Sequence, residues 1–169
     1  GYNPETQKAF MLSIPRDTFV GTNEATASGW DKINALYQKD VKKTITAVEE
    51  RTGLNIENYV VVRNTMLPAL VKAIGEVKFN VPIDMDYDDP TQDLHIHLNS
   101  GYQNINGNEA EQLLRFRHNN DGTSYPANYG DNDYGRMKTQ RNFLKAVIQQ
   151  TLKPTNILKI GEFIDIAQT

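Results

Sequence analysis

The chain has 169 residues, 38% of them hydrophobic and 23% charged, with 18 Lys+Arg against 21 Asp+Glu and a net charge of -3. That size and composition suit one globular domain, residues 1–169, with a proper core rather than a disordered chain. The acidic balance argues against nucleic-acid partners, the lack of cysteine removes disulfides and thiolate metal sites, and no apolar run is long enough to span a membrane.

The chain opens at "GYNPETQKAFMLSIPRD", where "NPET" reads as a turn with no strand before it. This abrupt start suggests an N-terminally trimmed piece of a longer protein. Ala9–Ile14 reads as a strand buried on both faces. "PRDTFVGTNEATASGWDKIN" is then a loop of small residues. Asp40 caps the helix "VKKTITAVEERT", which Gly53 stops. "NYVVVRN" reads as a β-branched strand. "TMLPALVKAIG" reads as a short helix from Thr65 to Gly75, with the stripe Met66, Leu67, Leu70, Val71 and Ile74 most simply core. "EVKFNVPI" and "LHIHL" alternate as strands, and "DMDYDDP" between them reads as an acidic turn. Asn106 opens "NGNEAEQLLRF" with the Asn-x-x-Glu pattern of a capping box. A long helix is expected from about Arg136 to Leu152, with Met137, Leu144, Val147, Ile148 and Leu152 at helical spacing. Pro154 breaks the chain before the amphipathic "NILKIGEFIDIA". Helices alternating with strands predict an α/β fold bordering on α+β, a mixed β-sheet sandwiched between helices, with strand order open.

The chemistry gathers in "LLRFRH" and "DNDYGRMKTQ". If the chain leaves its helix at "RFRH", Arg115 and Arg117 share one face and Phe116 takes the other. Two guanidiniums so placed form a fork for phosphate oxygens. In a continuing helix they would diverge by about 200°. The simpler alternative is a pair of surface arginines with salt-bridge partners. Asp133, Gly135 and Arg136 stand at the expected start of the long helix, with Asp133 as a candidate N-cap and Gln140 one turn past Arg136 on the same face. Such a helix start favours anions. Asp17 in "SIPRDT" and Asp31 in "DKIN" are hard oxygen donors of the kind Mg²⁺ takes together with substrate phosphates, although isolated loop aspartates are also ordinary turn formers. Asp93, His95 and His97 form a strand-spaced Asp-x-His-x-His that suits a transition metal, with an exposed strand face as the simpler reading.

In this order, "LSIPRDTFV", "DKINALY", "GLNIENYVVV", "LPALVKAIGEVKFNVP", "LNSGYQNINGNEAEQLLRFRH" and "DNDYGRMKTQRNFLKAVI" resemble the LytR–CpsA–Psr family of bacterial cell-wall proteins over nearly the whole chain. The resemblance implies an α/β catalytic domain on the extracellular face of the cytoplasmic membrane, in the cell envelope. It would be held there by an N-terminal anchor upstream of residue 1, where the family's first strands also lie. The implied activity transfers a glycopolymer, teichoic acid or capsular polysaccharide, from a polyprenyl pyrophosphate carrier to peptidoglycan. By motif, Asp17 and Asp31 would hold Mg²⁺. Arg115, Arg117 and Arg136 would clamp the pyrophosphate, and Asp133 would orient an arginine or act as a base. Arg16, Arg63, Lys138 and Gln140 would make further substrate contacts. Arg63 stands two places later than the family's basic residue, and the loop between Arg117 and Asp133 is longer than usual. Two other functions are open: a polyprenyl pyrophosphate phosphatase, which would use the same site, or a non-catalytic binder of anionic wall polymer, which would need the arginines but not Asp17 and Asp31.

Overall fold

The computed structural model describes residues 1–61, 63 and 65–157, and the chain packs as two compact units, residues 1–61 and 62–169. Val62, Asn64 and most of the amphipathic C-terminal segment lie outside the described residues.

In the first unit, β1 (Tyr2–Asn3) pairs antiparallel with β2 (Lys8–Ala9) around the "NPET" turn, so a strand does precede that turn. The expected buried strand over Ala9–Ile14 does not form, and Phe10, Met11 and Leu12 are exposed. An apolar run only suits a buried strand; a neighbour must supply the ladder, and here the pairing runs out after Phe10, whose N–H donates to Gly1 O at 2.9 Å and whose carbonyl accepts from the Gly1 amino group at 3.0 Å. The small-residue loop is more ordered than its composition suggests. It holds two short 3-10 turns, and Phe19 bridges Lys32. Helices α1 (Ile33–Lys39) and α2 (Val41–Thr52) follow. As expected, the Asp40 side chain accepts the Lys42 N–H at 2.9 Å, and Gly53 ends α2 in the left-handed region at φ 69°. The "NYVVVRN" strand is not formed over its described residues, where Tyr59, Val60 and Val61 are exposed and unladdered.

In the second unit, α3 (Met66–Ile74) stops at Gly75, φ 87°, although the Thr65 side chain makes no cap bond. Its stripe is core: Val71 and Ile74 are buried and Leu67 and Leu70 pack against them. Four strands come next: β3 (Val77–Val81), β4 (Met85–Asp89), β5 (Leu94–Leu98) and β6 (Gly101–Ile105). β3 pairs with β6 and β4 with β5, both antiparallel. The two ladders are halves of one long hairpin. Between them Pro82–Asp84 oppose only Asn99 and Ser100, a one-residue excess that bends the ribbon, and Asp84 Oδ1 staples the bend by accepting the Ser100 N–H at 2.6 Å.

"DMDYDDP" is therefore mostly strand, not turn. Met85 and Tyr87 face the core while Asp86 and Asp88 face solvent, and pairing with β5 overrides the turn preference of aspartate. Helix α4 (Gly107–Arg115) starts with the expected capping box. The Asn106 side chain accepts the Glu109 N–H at 3.1 Å, and Glu109 Oε2 accepts the Asn106 N–H at 2.8 Å. Helix α5 (Asn132–Thr151) buries Gly135, Thr139, Phe143 and Val147, four apart, and exposes Leu144 and Ile148, with Leu152 exposed at its C-cap. The last helical turn among the described residues is α6 (Pro154–Ile157). The mixed α and β composition agrees with expectation, and every strand pair among the described residues is antiparallel. Short connections permit that geometry, whereas parallel pairing needs long crossovers.

Candidate functional site

In the first unit, the backbone of residues 16–20 runs against residues 31–34. The Ile33 N–H donates to Thr18 O at 2.9 Å, the Val20 N–H to Asp31 O at 2.7 Å and the Asn34 N–H to Arg16 O at 3.2 Å. This pairing puts the segments carrying Asp17 and Asp31 side by side. The exposed Asp17 carboxylate meets Lys32 Nζ at 3.1 Å and Arg16 Nε at 3.8 Å. Asp31 closes a capping box on a 3-10 turn, its Oδ2 accepting the Ser28 N–H at 2.8 Å and the Ser28 hydroxyl at 2.9 Å. Those bonds, the backbone one foremost, hold its carboxyl below the usual carboxylate range. Oδ1 faces Gly21, where a Cβ would stand 2.9 Å away. The missing side chain keeps that oxygen uncovered. The carboxylates of Asp17 and Asp31, carried on paired segments, are hard oxygen donors of the kind Mg²⁺ takes.

In the second unit, α4 ends at Arg115 and the chain turns extended at Phe116, φ -57° and ψ 136°. Phe116 is fully buried, Arg115 is half-buried and Arg117 is exposed, so the anticipated departure from the helix occurs at the Arg-Phe-Arg step. Arg115 pairs with Glu111 at 3.1 Å, one turn back. Among the described residues the Arg117 guanidinium has no hydrogen-bond or ion-pair partner, while its carbonyl accepts the Ser124 hydroxyl at 2.7 Å.

The α5 start differs from expectation. The helix begins at Asn132, so Asp131 occupies the cap position and Asp133 lies in the first turn. There its carboxylate meets Arg136 Nη2 at 2.8 Å, and the Arg136 side chain is only 15% exposed. Asp133 therefore orients Arg136 instead of capping the helix. Gln140 is already committed, donating Nε2–H to Leu114 O at 2.9 Å and so tying α5 to the end of α4. Lys138 donates to Tyr129 O at 2.9 Å and lies 4.2 Å from the Tyr129 ring centre. Arg63 lies on no strand; its backbone opens the turn into α3, the Met66 N–H donating to Arg63 O at 3.0 Å.

Sequence reasoning placed Gly135 only at an anion-favouring helix start and passed over Tyr125. A Cβ on Gly135 would stand 2.1 Å from Gly130 O and 2.4 Å from Tyr125 Cβ, so only glycine lets the preceding loop close onto α5 beside Arg136. Tyr125 packs edge-on to Phe116 at 5.6 Å and stacks on Tyr129 at 5.7 Å, linking the end of α4 to that loop. A glycine inside an otherwise helical stretch was the available signal, since it costs about 1 kcal/mol against alanine unless a close approach requires it.

The LytR_cpsA_psr family model matches residues 1–169. The chain is 30% identical over 167 residues to the polyisoprenyl-teichoic acid–peptidoglycan teichoic acid transferase TagV of Bacillus subtilis, covering 98% of this chain and 40% of that protein. It is 28% identical to the TagU enzyme of the same description in Oceanobacillus iheyensis, covering 97% of this chain and 48% of that protein. A crystal structure of B. subtilis TagV matches with TM-score 0.73 and 29% identity, over 98% of this chain and 60% of that one. The chain thus spans less than half the length of these two transferases.

Proposed function

The chain belongs to the LytR–CpsA–Psr family, and on that premise we propose that it is the transferase portion of an extracellular, membrane-anchored cell-envelope protein. The reaction moves a teichoic acid or capsular glycopolymer from a polyprenyl pyrophosphate carrier to peptidoglycan. An acceptor hydroxyl attacks the phosphorus next to the sugar and gives up its proton to water, the bond to the bridging oxygen breaks, and polyprenyl phosphate leaves with that oxygen. Arg115, Arg117 and Arg136 bind the pyrophosphate oxygens, and Asp133 keeps the Arg136 fork aimed. Gln140 and Lys138 act by bracing α5 and the adjoining loop through their present partners. Asp17 and Asp31 hold Mg²⁺, with Arg16 beside them. Bound there, the ion would supply positive charge for phosphate oxygens.

The observation that carries this reading is the Arg136 site: a largely buried guanidinium, fixed by Asp133 at 2.8 Å, in a helix tied to the end of α4 by Gln140. Holding a cation in place beforehand is worthwhile where a multiply charged anion must be gripped in one orientation. The names of the TagV and TagU relatives support the choice of donor and acceptor. Product analysis tests it. A lipid-linked glycan incubated with Mg²⁺ and peptidoglycan oligomers yields a glycan–peptidoglycan conjugate. Release of free glycan phosphate at the same rate with and without acceptor would make the protein a pyrophosphatase instead.

A further inference from the structure

The outer face of the β4–β5 hairpin carries a side-chain cluster that the transferase reading does not use. The register sets Asp86 opposite His97 and Asp88 opposite His95. The inner face of β5 is buried through Leu94, Ile96 and Leu98, so both histidines stand outward with Asp86 and Asp88. Asp88 Oδ1 lies 2.5 Å from His95 Nδ1 and 3.5 Å from His97 Nε2. One ligand atom from each of Asp88, His95 and His97 lies within 4.8 Å of the other two. We propose that this triad is a binding site for Zn²⁺ or a similar borderline divalent cation, joining the two strands of the hairpin.

The donor set is right for it: two imidazole nitrogens and one carboxylate oxygen, with water completing a tetrahedron. Tetrahedral zinc at bond lengths of 2.0–2.2 Å needs ligand atoms about 3.3–3.5 Å apart. The Asp88–His97 separation already meets this, and small side-chain rotations open the Asp88–His95 contact.

The outer shell points the same way. Once one ring nitrogen binds the metal, the other needs an acceptor to fix the tautomer and ring plane. Asp86 Oδ1 stands 2.8 Å from His97 Nδ1, and Asp93 Oδ1 stands 3.7 Å from His95 Nε2. The backbone beneath is held as well. The Asp86 and Asp88 N–H groups donate to the side chains of Asn119 and Asn120 at 2.7 Å each, and the His97 N–H donates to Gln112 Oε1 at 2.9 Å. Among the described residues, Asp86, Asp88 and Asp93 have no Lys or Arg partner, so no other cation occupies their carboxylates. The triad shares no residue with the proposed Mg²⁺ ligands.

The test is titration of ZnCl₂ into tag-free protein by calorimetry, followed in parallel by histidine ring NMR. Wild type should take up one Zn²⁺ through this site, shifting the His95 and His97 resonances and sparing His118, whose Nδ1 sits 2.9 Å from Asn119 O. The separate variants His95→Gln and His97→Gln should each weaken this uptake at least tenfold while far-UV circular dichroism stays unchanged. Asp17→Asn should leave it intact. No uptake in wild type, or uptake kept in the double histidine variant, would overturn the assignment and leave the cluster as Asp–His hydrogen bonds.

Discussion

Replacing Gly135 by alanine sets two effects of opposite sign against each other. Within a helix, alanine is favoured over glycine by about 1 kcal/mol, so propensity alone predicts a more stable protein. The surroundings oppose it. The new methyl would stand 2.1 Å from Gly130 O and 2.4–2.5 Å from Tyr125 Cβ and Cγ. The nearest of these atoms is backbone, so relief requires moving the loop or the start of α5, not turning a side chain. Overpacking of this kind costs about 1–3 kcal/mol or more, and a clash with a carbonyl at that distance belongs at the upper end. The net expectation is a loss of about 2 kcal/mol, or roughly 4–8 °C in Tm for a chain of this size. Urea and thermal unfolding measure it. Gly29→Ala is the control, because no atom lies within 4 Å of its Cβ position, and it should change stability by less than about 0.5 kcal/mol. Since Gly135 adjoins Arg136, the variant should also bind polyprenyl pyrophosphate more weakly. A Gly135→Ala protein as stable as wild type would refute the packing account of this loop.

Burial pushes the Tyr125 phenol from 10.0 up to about 12, so its contribution to stability is complete below pH 10 and is lost as pH rises towards 12. Two units correspond to roughly 2–3 kcal/mol. Alkaline unfolding should therefore steepen in that window, and Tyr125→Phe should remove the excess while keeping the ring contacts; an unchanged alkaline profile in the variant would contradict this. Asp133→Asn should change stability by less than about 1 kcal/mol, because Asp133 is half exposed, yet reduce pyrophosphate affinity several-fold by loosening Arg136. Equal affinity in the two proteins would show that Asp133 does not orient the arginine.

Much of the local structure was legible because its causes are local. Asp40 and Gly53 bracket α2, Asn106 and Glu109 open α4, and the alternation of "VKFNV" and "LHIHL" marks two strands. Errors arose where a distant partner decides the outcome. "AFMLSI" has strand composition but is paired only at its first two residues, and "NYVVV" forms no strand over its described residues, whereas acidic "MDYDD" becomes a strand because β5 pairs with it. The site was legible as residue types but not as contacts. The Arg-Phe-Arg step emerged from spacing, with Phe116 buried between two more accessible arginines. That Gln140 would be spent on Leu114 O and Lys138 on Tyr129 O could not be read, since those bonds join residues brought together only by tertiary packing.

The most direct measurement is the thermal stability of the chain with a soluble polyprenyl pyrophosphate, with and without Mg²⁺, for wild type, Asp31→Asn and Arg117→Ala. A ligand that binds only the folded state raises the unfolding temperature by mass action. A lost charged hydrogen bond costs about 1.5–3 kcal/mol, which weakens binding by roughly ten- to more than a hundredfold. The account predicts a Mg²⁺-dependent rise in wild type that is largely lost in both variants. A rise of equal size in all three proteins, indifferent to Mg²⁺, would contradict it.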